Sequence, residues 1–296
     1  MLLLVDLDGV LYRGRDPVPG VAAVLADRAA RGDVVVYVTN NSMHYRVDYV
    51  ARLEALGAPV AADRIVSSAR ATALHLVNHE PTLRRVLVIG ESGLRRELAD
   101  GGIDVIDAGE RADLLERATA EAPEGSPGLD EFEIAGRPDA VVVGLDRDLT
   151  YGKLAIATVA IRAGARFIAT NRDPVLPTEH SFRPGAGSIV AAVEAATRVT
   201  PISIGKPAPA ILEEAARLVG ERAGDGIVIG DGLDTDVAAA RAVGARSVLM
   251  LTGVTSRARL DTLPASERPD AVAADAADLA AALDRLVEGP ASRAVR

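Results

Sequence analysis

Two carboxylates stand where an apolar strand ends. The sequence opens MLLLVDLDGV, and Asp6 and Asp8 follow Leu2–Val5, a run whose lack of polar alternation suits the interior of a parallel sheet. A buried carboxylate is expensive without a cation or a set of donors. Asp8-Gly9 by itself reads as a turn, since glycine tolerates positive φ. Asp6 is left unexplained by that reading and demands a partner.

Candidate partners lie at the ends of other apolar runs. VVVYV (34–38) is followed by Thr39, Asn40, Asn41 and Ser42, polar groups that suit a helix N-cap or an anion site at a helix N-terminus. PISI (201–204) leads to Lys206, with Pro209 suited to a first helical turn. IVI (227–229) leads to GDGLDTDV, which carries Asp231, Asp234 and Asp236. Carboxylates this close repel one another unless a cation sits among them. A hard divalent ion, Mg²⁺ above all, prefers such oxygen ligands.

That set of residues suits phosphoryl transfer. One aspartate can attack phosphorus and form an aspartyl phosphate. A second, two residues on, points to the same side of an extended strand end and can exchange protons with the leaving oxygen and the attacking water. The metal would screen phosphate from Asp6, and Thr39, nearby backbone N–H groups and Lys206 would hold the remaining oxygens. The rival is a dinucleotide-binding oxidoreductase, because GESGLR (90–95) and GDGLDT (230–235) superficially resemble Gly-rich loops. The first lacks G-x-G spacing; the second lacks the third glycine and puts Asp231 where a pyrophosphate would approach.

The elements that must position these groups follow from periodicity. Strands are expected at 2–5, 34–38, 86–89, 140–144, 166–170, 201–204, 227–230 and 247–251. Helical segments such as 22–32, 49–57, 153–164 and 209–220 lie between them. Such alternation implies an α/β, doubly wound parallel sheet whose ligands bind beyond the carboxyl ends of the strands. The Gly-, Pro- and acid-rich stretch 122–139 reads as a surface excursion, and 289–296 as a disordered tail.

Composition sets outer bounds. The 296 residues are 49% apolar but only 3% aromatic, with no Trp, so the core must be aliphatic. A net charge of −9 argues against holding a nucleic-acid backbone by charge. The absence of cysteine excludes thiol chemistry and disulfides and fits a reducing, cytoplasmic setting. No apolar run reaches the roughly 18 residues of a membrane-spanning helix.

The order DxDGV, TNNS, GKP, GDGLDTD, with ATNRDPVLPTE (169–179), PGAGSIVAAVEAAT (184–197) and LTGV (251–254), resembles the haloacid dehalogenase superfamily of phosphatases, specifically its NagD / p-nitrophenylphosphatase branch. The resemblance implies Asp6 as nucleophile, Asp8 as general acid/base, and Thr39, Asn40 and Lys206 on phosphate. It implies Asp6, the Asp8 carbonyl and Asp231 on Mg²⁺, with Asp236 acting through water. It also implies a Rossmann-like core at 1–78 and 184–296 and an inserted α/β cap at 79–183. Where members of the branch often carry Arg or Asn this chain has Gly232, which predicts a more open edge to the site.

In such a cap, Asn171, Arg172, Asp173, His180 and Arg183 are the residues expected to face substrate. With few aromatics for base stacking, a small phosphorylated metabolite is favoured over a nucleotide: glycerol phosphate, a sugar phosphate or pyridoxal phosphate. No nucleic-acid or membrane partner is expected, and a homodimer is allowed. A non-catalytic phosphate-binding or interaction protein on the same fold is the alternative, disfavoured because all four motifs are present.

Overall fold

The computed structural model describes residues 1–121, 130–177 and 181–288. The expected tail at 289–296 and the part of the excursion at 122–129 lie outside the described residues. Among the described residues fifteen strands follow in chain order: β1 (Leu2–Val5), β2 (Tyr12–Arg13), β3 (Asp16–Pro17), β4 (Val34–Thr39) and β5 (Ile65–Ser67); then β6 (Arg85–Ile89), β7 (Asp104–Asp107), β8 (Ala140–Val143), β9 (Arg166–Ala169), β10 (Val175–Pro177), β11 (Phe182–Pro184) and β12 (Ile202–Ser203); finally β13 (Ile227–Gly230), β14 (Arg246–Met250) and β15 (Ala271–Ala273).

β1 is apolar throughout because both its faces are covered, and all four of its residues are buried. It sits inside a six-stranded sheet of order β15-β14-β13-β1-β4-β5 in which every pairing is parallel. The chain steps from β1 outward to β4 and β5, and later returns to the other side through β13, β14 and β15. The strand order therefore reverses between β1 and β13, the place where a doubly wound sheet opens its ligand crevice. The Asp6 N–H continues the β1 ladder to the Ile229 carbonyl at 2.8 Å. Helix Val21–Ala30 turns Val21, Leu25 and Arg28 inward at helical spacing. Its buried guanidinium is paired with Asp33 at 2.5 Å and Asp284 at 3.0 Å. Leu3, Val5, Leu25, Tyr37, Ile229 and Met250 share one aliphatic core.

A second parallel sheet, of order β12-β9-β8-β6-β7, has its own core of Leu87, Ile89, Val141, Val143, Phe167 and Val190. The chain divides into two compact units, one of residues 1–39, 46–67 and 206–296, the other of 40–45 and 68–205. These bounds differ from the expected 79–183. Helix Ala186–Thr197 buries Ile189, Val190 and Val193 in the second core, and β12 pairs with β9 (Ile202 opposite Ile168), so 184–205 goes with the second unit. Within 130–139, the expected excursion holds a short helix, Glu131–Ile134, whose cap Asp130 accepts from the Glu133 N–H at 3.0 Å. No described helix is long and apolar enough to cross a membrane.

Leu3 and Leu87 are fully buried, one in each sheet. Replacing either by Ala should lower stability by about 2–5 kcal/mol, read as a shifted urea midpoint with an unchanged slope. A loss well under 1 kcal/mol would contradict this packing.

Candidate active site

Strand ends bring the predicted groups of the first unit together. Asp6 follows β1, Thr39 closes β4, Asp231 follows β13, and Asp236 sits in the π-helical stretch Leu233–Val237. Lys206, 3% exposed, points its Nζ at the Asp6 carboxylate (2.8 Å), the Asp236 carboxylate (2.6 Å) and the Val38 carbonyl (3.1 Å). Oxygens of Asp6, Asp231 and Asp236 all lie within 4.8 Å of one another. Thr39 is buried one residue beyond the carbonyl that Lys206 takes, and Asp8 is exposed.

Each carboxylate is held differently. Both oxygens of Asp236 are engaged: Oδ1 by Lys206, and Oδ2 by the Gly232 N–H at 3.1 Å and the Thr235 hydroxyl at 3.0 Å. Asp231 accepts the Val254 N–H at 2.7 Å. Backbone closes around it, since a Cβ on Gly9 (φ +78°) or Gly253 would fall 2.1 or 1.7 Å from Asp231 Oδ2. The Thr252 hydroxyl donates to the Gly9 carbonyl at 2.6 Å and the Arg13 guanidinium donates to the Thr252 carbonyl, which fixes LTGV beside the first turn. The Tyr12 ring lies under the Arg52 guanidinium, 3.2 Å from its centroid; burial first and the Asp8 charge second hold its phenol well above the ordinary range.

The electrostatics are unbalanced in favour of negative charge. One buried ammonium faces three carboxylates. Burial lifts the Asp6 carboxyl well above its usual range, a shift that Lys206 opposes and Asp236 and Asp231 reinforce. Burial, then the Asp236 charge, pushes Asp231 up to about 6, against the pull of the Val254 N–H. Burial pulls Lys206 down, but the Asp236 and Asp6 charges outweigh it and hold the ammonium charged. This oxygen-only cluster, its excess charge closed in by backbone, suits a hard dication.

Several expectations change. Asp234 is exposed and paired with Arg259 at 2.7 Å, away from the cluster. At Gly232 the expected open edge is filled from within, because a Cβ there would meet the Thr235 hydroxyl at 2.0 Å. The amide of Asn40 goes to Asp173 Oδ2 at 2.9 Å, and that of Asn171 to the Asn40 carbonyl at 2.7 Å; all three belong to the second unit. Arg172 pairs with Glu194 at 2.6 Å, and Arg183 is exposed on the β10–β11 hairpin. His180 lies outside the described residues. Thr235, Thr252 and the Val254 N–H were not singled out individually; LTGV, quoted only as part of the resemblance, was the signal for the last two.

Known proteins resemble this chain in sequence and fold. A family model described as haloacid dehalogenase-like hydrolase matches residues 3–104, and a related HAD hydrolase-like model matches 203–279. The 5′-nucleotidase YutF of Bacillus subtilis is 33% identical over 86% of this chain and 88% of its own. The structure of p-nitrophenyl phosphatase from Archaeoglobus fulgidus superposes with a TM-score of 0.80 at 31% identity, covering 95% of this chain and 98% of the other. Glycerol phosphate phosphatase from Mycobacterium tuberculosis, solved in complex with calcium, gives a TM-score of 0.78 at 36% identity over 94% of this chain and 74% of that one; it has also been solved with magnesium. With these relatives and this fold, the chain belongs to the haloacid dehalogenase-like hydrolases and is a phosphatase of their NagD-like, p-nitrophenylphosphatase branch.

Proposed function

We propose that the protein is a Mg²⁺-dependent phosphatase that hydrolyses a small phosphate monoester through an aspartyl phosphate on Asp6. The observation that carries this reading is the buried Lys206 ammonium lodged between Asp6 and Asp236, with Asp231 alongside. Asp6 and Asp231 would hold the ion directly with the Asp8 carbonyl. Asp236 would support it through water, because both its oxygens already have donors. When bound, the ion would offset the excess negative charge and let a phosphate approach.

The chain's own residues then divide the work. An Asp6 oxygen attacks phosphorus as the ester oxygen departs, and the Lys206 ammonium donates to that carboxylate and aims it. Asp8, two residues on and exposed, gives a proton to the departing oxygen and later takes one from the water that hydrolyses the acyl phosphate. Thr39 and Lys206 would hold the peripheral phosphate oxygens. The second unit, in the cap role that the resemblance implies, would select the leaving group. Glycerol phosphate, a sugar phosphate, pyridoxal phosphate or a nucleotide fall within the class, and the relatives named above act on the first and last kinds.

Asp6→Asn should abolish release of p-nitrophenol from p-nitrophenyl phosphate, because an amide is too weak a nucleophile. Wild-type turnover in that variant would exclude Asp6 as the attacking group. Asp8→Asn should slow turnover by about 10²–10⁴-fold while magnesium affinity, measured by calorimetry, stays close to that of the wild type.

Chelation by EDTA should stop hydrolysis and added Mg²⁺ should restore it. Undiminished rates in metal-free buffer would remove the ion from the reaction.

Stability should carry the mark of the crowded carboxylates. Asp231, held at about 6, keeps a proton in the folded protein at pH values where the unfolded chain has released it. That stabilisation is complete at low pH and is lost as pH rises through about 6. In metal-free thermal melts the advantage of Asp231→Asn over wild type should therefore grow from pH 4 to pH 6 and then level off. A constant difference across that range would contradict the assignment.

A further inference from the structure

The chain passes between its units after Thr39, Tyr45, Ser67 and Gly205. On the second-unit side, three of these crossings are tied into one knot. The Asn40 carbonyl accepts from Ser68 Oγ at 2.6 Å and from Asn171 Nδ2 at 2.7 Å, while Asn40 Nδ2 donates to Asp173 Oδ2 at 2.9 Å. The Asp173 N–H donates to Asn171 Oδ1 at 3.1 Å, and the Gly205 N–H donates to the Thr170 carbonyl at 2.7 Å.

The rest of segment 40–45 is seated as firmly. Ser42 Oγ accepts from the Leu145 N–H at 3.3 Å, and the Met43 carbonyl accepts from the Gly93 N–H at 3.1 Å. The Tyr45 hydroxyl meets Asp100 at 2.5 Å, its ring under the Arg96 guanidinium. In the second sheet the strand order reverses between β6 and β8. The crevice beyond those strand ends, where such sheets bind ligands, is filled by the chain's own Ser42 and Met43.

On the first-unit side of the same crossings stand Thr39, Ser67 and Lys206. Thr39 and Ser67 are register partners across β4 and β5. Thus two groups assigned above to phosphate are each one peptide bond from the knot.

We propose that Asn171 and Asp173 are positioning residues, which clamp the peptide at Asn40 and so hold Thr39 and Lys206 where the phosphate oxygens must sit. The inference rests on the phosphatase reading above and extends it. It gives the two side chains a different task from the expected contact with substrate, because the polar atoms named here are engaged with the chain itself. Misplacing a binding group by about 1 Å can cost on the order of 10²-fold in rate, so a tie one bond away is felt in turnover.

Asn171→Asp tests this, since it keeps shape but cannot donate to the Asn40 carbonyl. Asp173→Asn is the matched rescue, since its amide oxygen still accepts from Asn40. With p-nitrophenyl phosphate, Asn171→Asp should lower kcat by about 10- to 100-fold and raise the inhibition constant of inorganic phosphate, while Asp173→Asn stays near wild type. Unchanged kcat and phosphate inhibition in Asn171→Asp would overturn the proposal. So would a loss confined to KM for larger esters, which would make these residues substrate contacts. If circular dichroism shows Asn171→Asp unfolded, Ser68→Ala, which removes the second donor to the same carbonyl, should shift both quantities the same way; no shift there overturns the proposal. Absence of turnover in the wild type would instead refute the phosphatase reading, and calorimetric phosphate affinity would then decide the tie by the same comparison.

Discussion

Everything in the first unit converges on one buried ammonium. Lys206 comes from a loop far along the chain from Asp6, yet its Nζ joins the end of β1, the end of β4 and the π-helical stretch after β13. Removing one member of a buried ion pair costs about 3–5 kcal/mol, because the survivor is left uncompensated. Here the survivors would be carboxylates that already repel one another. The lysine is therefore both the electrostatic keystone of the strand ends and the one charge that opposes the neutral acid which burial favours at Asp6.

Aspartates, a lysine and a threonine at strand ends were legible because each violates the hydrophobic pattern around it at a price that only function or a partner explains. What stabilises them was harder to see. The Val254 N–H on Asp231 is a backbone group that any residue supplies, and the Thr235 hydroxyl on Asp236 is unremarkable in sequence. Asn171 and Asp173 were named as cap residues expected to face substrate, but donors and acceptors do not declare their partners. Their bonds to Asn40 span more than 130 residues of chain.

The fold shows the same division. Central strands such as β1 and β13 are continuous apolar runs and were found with their observed bounds. β5, β7 and β15 were missed, and all three lie at sheet edges. An edge strand pairs on one side only, so IVS and AVA can be three residues long and DVID can keep aspartates at both ends. The boundary of the second unit slipped for a related reason. β12 has two residues on an edge, and its pairing with β9, with helix Ala186–Thr197 packed in the second core, shows to which sheet 184–205 belongs.

The place of β1 also bears on how the molecule is made. This strand precedes every other described strand in the sequence, and one of its two neighbours, β13, lies more than 220 residues later. The second sheet draws all its strands from residues 85–203 and can close while the ribosome is still adding the remainder. β1 must wait, carrying Asp6 at its end, and such long-range pairing is intrinsically slow. Lys206 and Asp236 arrive in the same late stretch as β13. The proposed catalytic centre therefore comes into being only when the sheet is closed, so its assembly is tied to the longest-range strand pairing of the first unit.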